Sequence, residues 1–196
     1  GPKGTTVRVE NLFYNTPARL KFLKSDATEL AACVEVVSKC AVANPRVRFT
    51  LRHGSGTLVQ TSGSGDFGTV VAEVWGREVA RALAPVDFYN GQARVRGFVS
   101  PPHFTKPTRA LQWFMVNGRP VRSKTLQAAL DQALRSLTPE KRFPVAVLNV
   151  EVDPARVDVN VSPTKSEVRF HMEGGVFDAV RRGVAAALIA TGMVPH

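Results

Sequence analysis

Apolar residues along the chain fall into two rhythms. At period two, Thr6–Val9 alternates as a strand, and Val47–Arg52 and Thr57–Thr61 flank His53-Gly54-Ser55-Gly56 and predict a hairpin. At helical spacing, Leu20 and Leu23 share one side of a short helix. That helix opens at Asn15-Thr16-Pro17, a capping side chain followed by proline at the first helical position. Asp26-x-x-Glu29 resembles a capping box, and Leu30, Val34, Val37 and Ala41 carry a second helix to its stop at Asn44-Pro45.

Ser62-Gly63-Ser64-Gly65 is the most linker-like stretch, and it divides the chain into residues 1–65 and 66–196. Beyond it the pattern predicts a helix over about 68–82, with Val71, Val74 and Val79 inward, then strands Val86–Tyr89 and Ala93–Ser100 around Asn90-Gly91. After a proline-rich loop, Leu111–Val116 reads as a strand entering a tight turn at Asn117-Gly118. Leu126, Leu130, Leu134 and Leu137 mark an amphipathic helix, and Phe177, Val180, Val184 and Leu188 a closing one. Pro144–Val152 is almost continuously apolar, as a central strand covered on both faces would be. Val157, Val159 and Val161 alternate with Asp158 and Asn160 until Pro163 ends the strand. Hairpins and crossovers together predict an α+β fold, a mixed β-sheet with helices packed on one face.

Composition changes this picture little: 44% hydrophobic and 21% charged is ordinary for a globular chain. No apolar run approaches the roughly 18 residues that a membrane span needs. Cys33 and Cys40 lie seven apart on one predicted helix, so their Cα atoms are about 10 Å apart, too far for a disulfide. Reduced, buried thiols fit a cytoplasmic protein, and neither cysteine has a histidine at zinc-ligand spacing. No nucleophile–base–orienter set and no metal cluster stands out, so the sequence offers no catalytic residues.

Charge changes the picture more. The net charge of +10 points to a polyanion partner, either nucleic acid or an acidic surface. Between Asp87 and Asp131 no acidic residue occurs, while Arg94, Arg96, Lys106, Arg109, Arg119, Arg122 and Lys124 supply seven cations. Such a run is either a solvated face or an electrostatic footprint. Arg119, Arg122 and Lys124 flank the Asn117-Gly118 turn and the start of the next helix, where phosphates are readily contacted. One more cation, Lys165, sits just past Pro163 at the end of a strand, placed either to meet an anion or simply in solvent.

The segment Gly4-Thr5-Thr6-Val7-Arg8-Val9-Glu10-Asn11-Leu12-Phe13-Tyr14-Asn15-Thr16-Pro17-Ala18-Arg19-Leu20-Lys21-Phe22-Leu23-Lys24 resembles a signature of the MutL family of DNA mismatch repair proteins. Val116-Asn117-Gly118-Arg119-Pro120-Val121-Arg122, Pro144-Val145-Ala146-Val147 and the 157–170 stretch agree with it in the same order. The resemblance implies two parts: the end of a GHKL-type ATPase domain of α/β sandwich form over 1–65, and a ribosomal-protein-like transducer domain over 66–196. It also implies that the main nucleotide motifs precede Gly1; the chain opens without an initiator Met, as a piece of a longer protein would.

By the same resemblance, Lys165 reaches the γ-phosphate of ATP, and Gly4, Thr5 and Thr6 close the last nucleotide motif. ATP and Mg would then be cofactors of the intact protein and not of this piece. Arg119, Arg122, Lys124, Arg109 and Lys106 would belong to a groove that holds DNA without sequence preference. Further partners would be a MutS-like mismatch-recognition protein and a second copy of the chain in an ATP-dependent dimer. Ser162 stands where the family usually has histidine, and Asp131 where it can carry a basic residue.

Overall fold

The structure is a computed structural model that describes residues 3–159, 161 and 167–192. The opening alternation does not become a strand. Residues 4–10 run extended with no ladder partner among the described residues, leaving Val7 and Val9 81% and 73% exposed. A lone strand has nothing to bond, so alternation by itself is insufficient. Tight turns at Asn11 and Phe13, both at positive φ, lead into α1 (Pro17–Leu20); Pro17 takes the first position as predicted, but Thr16 before it makes no capping side-chain hydrogen bond.

Helix α2 (Asp26–Ala43) starts one residue earlier than the capping-box reading placed it. Ser25 is the cap, its hydroxyl 2.9 Å from that of Thr28, and the Glu29 carboxylate accepts from the Lys24 backbone N–H at 2.9 Å. Strands β1 (Thr50–His53) and β2 (Gly56–Gln60) form the predicted hairpin, turning through Gly54-Ser55. The Gly-Ser stretch after it is bonded in place. Ser62 N–H donates to the Glu73 carboxylate at 3.0 Å, Gly65 N–H donates to the Pro45 carbonyl at 2.9 Å, and a Cβ at Gly63 would meet the Arg48 backbone at 2.9 Å.

Asp66 then caps α3 (Phe67–Trp75), accepting from Thr69 N–H at 2.6 Å. The single helix expected over 68–82 is broken. Gly76 takes φ +89°, outside helical space, and α4 (Arg77–Arg81) follows as a separate short piece. Next come β3 (Ala84–Tyr89), β4 (Ala93–Val99), β5 (Thr105–Lys106), β6 (Gln112–Val116), β7 (Arg119–Val121) and α5 (Lys124–Leu134). They are followed by β8 (Phe143–Pro144), β9 (Ala146–Val152), a short 3-10 turn (Pro154–Arg156), β10 (Val157–Asp158), β11 (Arg169–Phe170) and α6 (Glu173–Ala190).

One five-stranded sheet, ordered β3-β4-β9-β6-β7, organises the fold. Every pairing is antiparallel except β6 with β9, which are parallel and joined across α5, so the sheet is mixed as expected. Strand β9 lies at its centre, which is why that segment is apolar on both faces. Ala146, Leu148 and Val150 join Phe114 and Val116 under α5 and α6 in one core. Val145 and Val147 join Trp113 and Met115 in a second core, on the opposite face, with Ala41 and Val42 of α2 and Val70 and Val71 of α3.

Two expectations need correction. Among the described residues, strand pairing in the 157–161 stretch extends over Val157–Asp158, with β11 and outside the main sheet; β7 supplies the fifth strand. Cys33 is exposed and Cys40 half-buried, both as free thiols, because α2 buries only its C-terminal turns.

Candidate nucleic-acid interface

Strands β6 and β7 turn tightly through Asn117 (φ +49°) and Gly118 (φ +75°), and this turn presents Arg119 to solvent. The turn is held by side chains of its neighbour: Asn149 accepts from Gly118 N–H at 3.0 Å, and Asn117 exchanges two bonds with the Val152 backbone, each 3.0 Å. Past β7, Arg122 is exposed, and Ser123 caps α5 by accepting from Leu126 N–H at 3.3 Å. Lys124 is the first residue of α5, and no acidic residue occupies that first turn. A cation at the positive end of a helix dipole works against helix stability, so the helix alone does not account for it.

Arg122, Ser123 and Lys124 line one wall of a groove of about 850 Å³, Glu167 and Glu173 also border it, and Arg119 lies outside it. The other wall is α2, through Glu35, Val36 and Lys39. Lys39 pairs with Glu35 and lies 5.6 Å from the centre of the Trp113 ring, which tethers α2 to the sheet. Trp113 is fixed in turn by donating to the Ala110 carbonyl at 2.8 Å and by an edge-on contact with Trp75. Lys39 was missed by the sequence reading; Glu35-x-x-x-Lys39 looks like an ordinary ion pair on an exposed helix face.

The acid-free run is far less one-signed in space than in sequence, because flanking acids fold back onto it. Asp87 binds Arg94 through both carboxylate oxygens at 2.8 and 2.9 Å, and Glu151 lies 3.5 Å from Arg96. The hydrogen bonds from Arg94 hold the Asp87 carboxyl below its usual pKa, and the Asp87 carboxylate raises that of Arg94. Arg109 donates to Asp131 at 2.7 Å and to the Gln112 carbonyl oxygen at 3.0 Å, with the Phe143 ring 4.2 Å away. Arg109 therefore reaches the groove wall as half of an ion pair. Lys106 stacks on Phe104 at 5.1 Å and does not line the groove. Among the described residues, Arg119, Arg122 and Lys124 have no carboxylate within 4.0 Å of their charged groups.

Of the nucleotide candidates, the structure describes Gly4, Thr5 and Thr6. Gly4, Thr5 and Thr6 are exposed, and nothing lies within 4 Å of a Cβ placed at Gly4. Lys165 and Ser162 lie outside the described residues. The Gly65-Asp66-Phe67-Gly68 stretch is a helix cap and not a phosphate loop. Among the described residues, no three metal-ligating side chains converge, and no helix is long and apolar enough to cross a membrane.

Comparison with known proteins places this geometry. A family model described as "DNA mismatch repair protein, C-terminal domain" matches residues 71–189, more than half of the chain. The chain is 45% identical over 195 residues to the DNA mismatch repair protein MutL of Symbiobacterium thermophilum, covering 97% of this chain and 31% of that protein. It thus spans about a third of the length of the curated relatives it matches. A crystal structure of the N-terminal domain of a DNA repair protein shares the fold, with a TM-score of 0.76 at 24% identity over 93% of this chain and 60% of that one. The Aquifex aeolicus MutL ATPase domain complexed with ADP aligns with a TM-score of 0.55 at 27% identity, over 74% of this chain and 51% of that one. The chain belongs to the MutL family of DNA mismatch repair proteins.

Proposed function

We propose that this chain is the part of a MutL-type, ATP-driven mismatch-repair switch that grips DNA and reports nucleotide state. The reading rests above all on the groove between α2 and the start of α5, where Arg122 and Lys124 are exposed and have no ion pair among the described residues, although Glu35, Glu167 and Glu173 border the same groove. With Arg119 on the adjoining turn, they offer a phosphate backbone a short track of cations and no base-reading element. Lys106 and Arg109 contribute less, the first because it lies off the groove, the second because Asp131 neutralises it.

Residues 1–65 are assigned to the end of an ATPase domain and 66–196 to the transducer domain, with the boundary at Ser62–Gly65. The apolar surface of the first part supports this: Tyr14 and Phe22 are 79% and 83% exposed, as residues that pack against further ATPase-domain chain would be when viewed alone. In the intact protein, Gly4, Thr5 and Thr6 border the nucleotide and Lys165 meets its terminal phosphate. ATP with Mg belongs to that larger assembly, as do the ATP-dependent dimer and a MutS-like partner, in the cytoplasm.

The test is Lys165→Ala beside Lys124→Ala in the intact protein. ATP-dependent dimerisation, followed by light scattering, is lost in the first while duplex binding stays; duplex binding weakens in the second while dimerisation stays. If Lys165→Ala weakens only duplex binding, the switch reading fails and a nucleic-acid-binding module without nucleotide coupling takes its place.

A further inference from the structure

We propose that Asp131 is a built-in brake on the groove: it cancels the charge of Arg109 at the groove wall and so lowers affinity for a phosphodiester backbone. This rests on the nucleic-acid reading above and adds a residue that sets its strength. Three contacts besides Asp131 hold the Arg109 guanidinium in place. The Gln112 side-chain amide oxygen accepts from it at 3.0 Å, the Phe143 ring lies 4.2 Å away, and Gln127 accepts from its Nε at 2.9 Å once the Gln127 amide oxygen and nitrogen are exchanged. Gln112 and Gln127 both line the groove, as Arg109 does; Asp131 does not.

The arrangement separates position from charge. Neutral amides and an aromatic face orient Arg109, and one carboxylate outside the groove supplies the opposing charge. The pair is partly solvated, with the two side chains 36% and 38% exposed, so it adds little to folding stability. Its main effect is on the field in the groove, where Lys124 is close along the same helix. Removing the Asp131 charge leaves Arg109 oriented and uncompensated, ready to release one more counterion when a phosphate arrives.

The experiment measures binding of a fluorescent DNA duplex of arbitrary sequence across a salt series. Asp131→Asn binds about five- to tenfold tighter near 0.1 M salt, and its log–log salt slope steepens by about 0.9, as one added phosphate contact requires. Asp131→Ala, a second neutralisation, behaves the same way. Arg109→Ala alone weakens binding, because it leaves the Asp131 carboxylate uncompensated, and combined with Asp131→Asn it abolishes the gain. Glu140→Gln carries the same charge change on an exposed loop and controls for net charge. An Asp131→Asn gain no larger than that of Glu140→Gln overturns the brake, as does a gain that survives Arg109→Ala. Should Lys124→Ala weaken binding while both Asp131 variants match the parent chain, the brake fails and the DNA groove stands. Should none of the proteins bind duplex at low salt, both fail.

Discussion

Residues 3–65 and the sheet domain after them carry similar apolar patterns, yet only the second encloses most of its own. Leu126, Leu130, Leu148 and Val180 are fully buried between the sheet and α5 and α6. Of the first part, the end of α2 and Val59 of the hairpin are buried, while Val7, Val9, Tyr14 and Phe22 stand in solvent. Helix α2 shows both behaviours at once: Ala41 and Val42 enter the core on the second face of the sheet, and Val36 is 61% exposed where α2 walls the groove. The difference teaches that a hydrophobic pattern specifies a buried face without specifying which chain segment covers it.

The sharpest way to break the comparison is at the centre of the sheet. Gly97 sits at φ +148°, and a Cβ there would fall 2.0 Å from the Val147 carbonyl oxygen across the β4–β9 ladder. Gly97→Ala therefore abolishes the cooperative urea transition of the chain, followed by circular dichroism; a retained transition near the parent midpoint contradicts the packing described. A milder pair sharpens it. Leu148→Ala lowers unfolding free energy by about 2–5 kcal/mol, the range for emptying a fully buried leucine site. Phe22→Ala, in the exposed part, stays within about 0.5 kcal/mol. Equal effects would mean that the first part has a core of its own.

The smallest effect lies at the junction. Asp66→Ala removes the α3 cap and costs about 1 kcal/mol. Its pH signature has a definite sign. The hydrogen bonds from Thr69 hold the Asp66 carboxyl below its usual value of 3.8, so the folded state favours the ionised form. That stability is present above the unfolded pKa and disappears as pH falls through the lower folded value. Thermal melts should show the Asp66→Ala deficit at pH 6 and a shrinking deficit in the acid range below about pH 4.

The central, doubly covered place of β9 was readable in the sequence, whereas the order of the strands around it and the helices on the second face were not. Strand β9 is apolar at successive positions, and β6 continues the same rule through Trp113-Phe114-Met115-Val116. The Asn117-Gly118 turn was legible too, because few residue pairs adopt two successive positive φ angles. The break at Gly76 was not, since a glycine inside a helical pattern is compatible with an unbroken helix until its φ is known. Nor was the β10 stretch, where alternation suited a long strand and the partner β11 is two residues long.

The site divides in the same way. Arg122 and Lys124 were legible because turn and helix start are local signals. The pairing of Arg109 with Asp131, 22 residues away, was not, because a loop and an intervening hairpin bring them together. Arg94 and Arg96 were likewise counted as free until the antiparallel register set Asp87 opposite Arg96 and placed Glu151 within reach. Long-range pairing takes Arg94, Arg96 and Arg109 from the run of seven cations and Lys106 lies off the groove, so Arg119, Arg122 and Lys124 carry the functional reading.

The most direct measurement of that reading is duplex binding by the parent chain and by the Arg119→Ala/Arg122→Ala/Lys124→Ala variant over a range of salt concentrations. The account predicts affinity independent of sequence and falling steeply with salt for the parent chain, and a log–log slope shallower by about 2 to 3 in the triple variant. Identical slopes and affinities for the two proteins would contradict it.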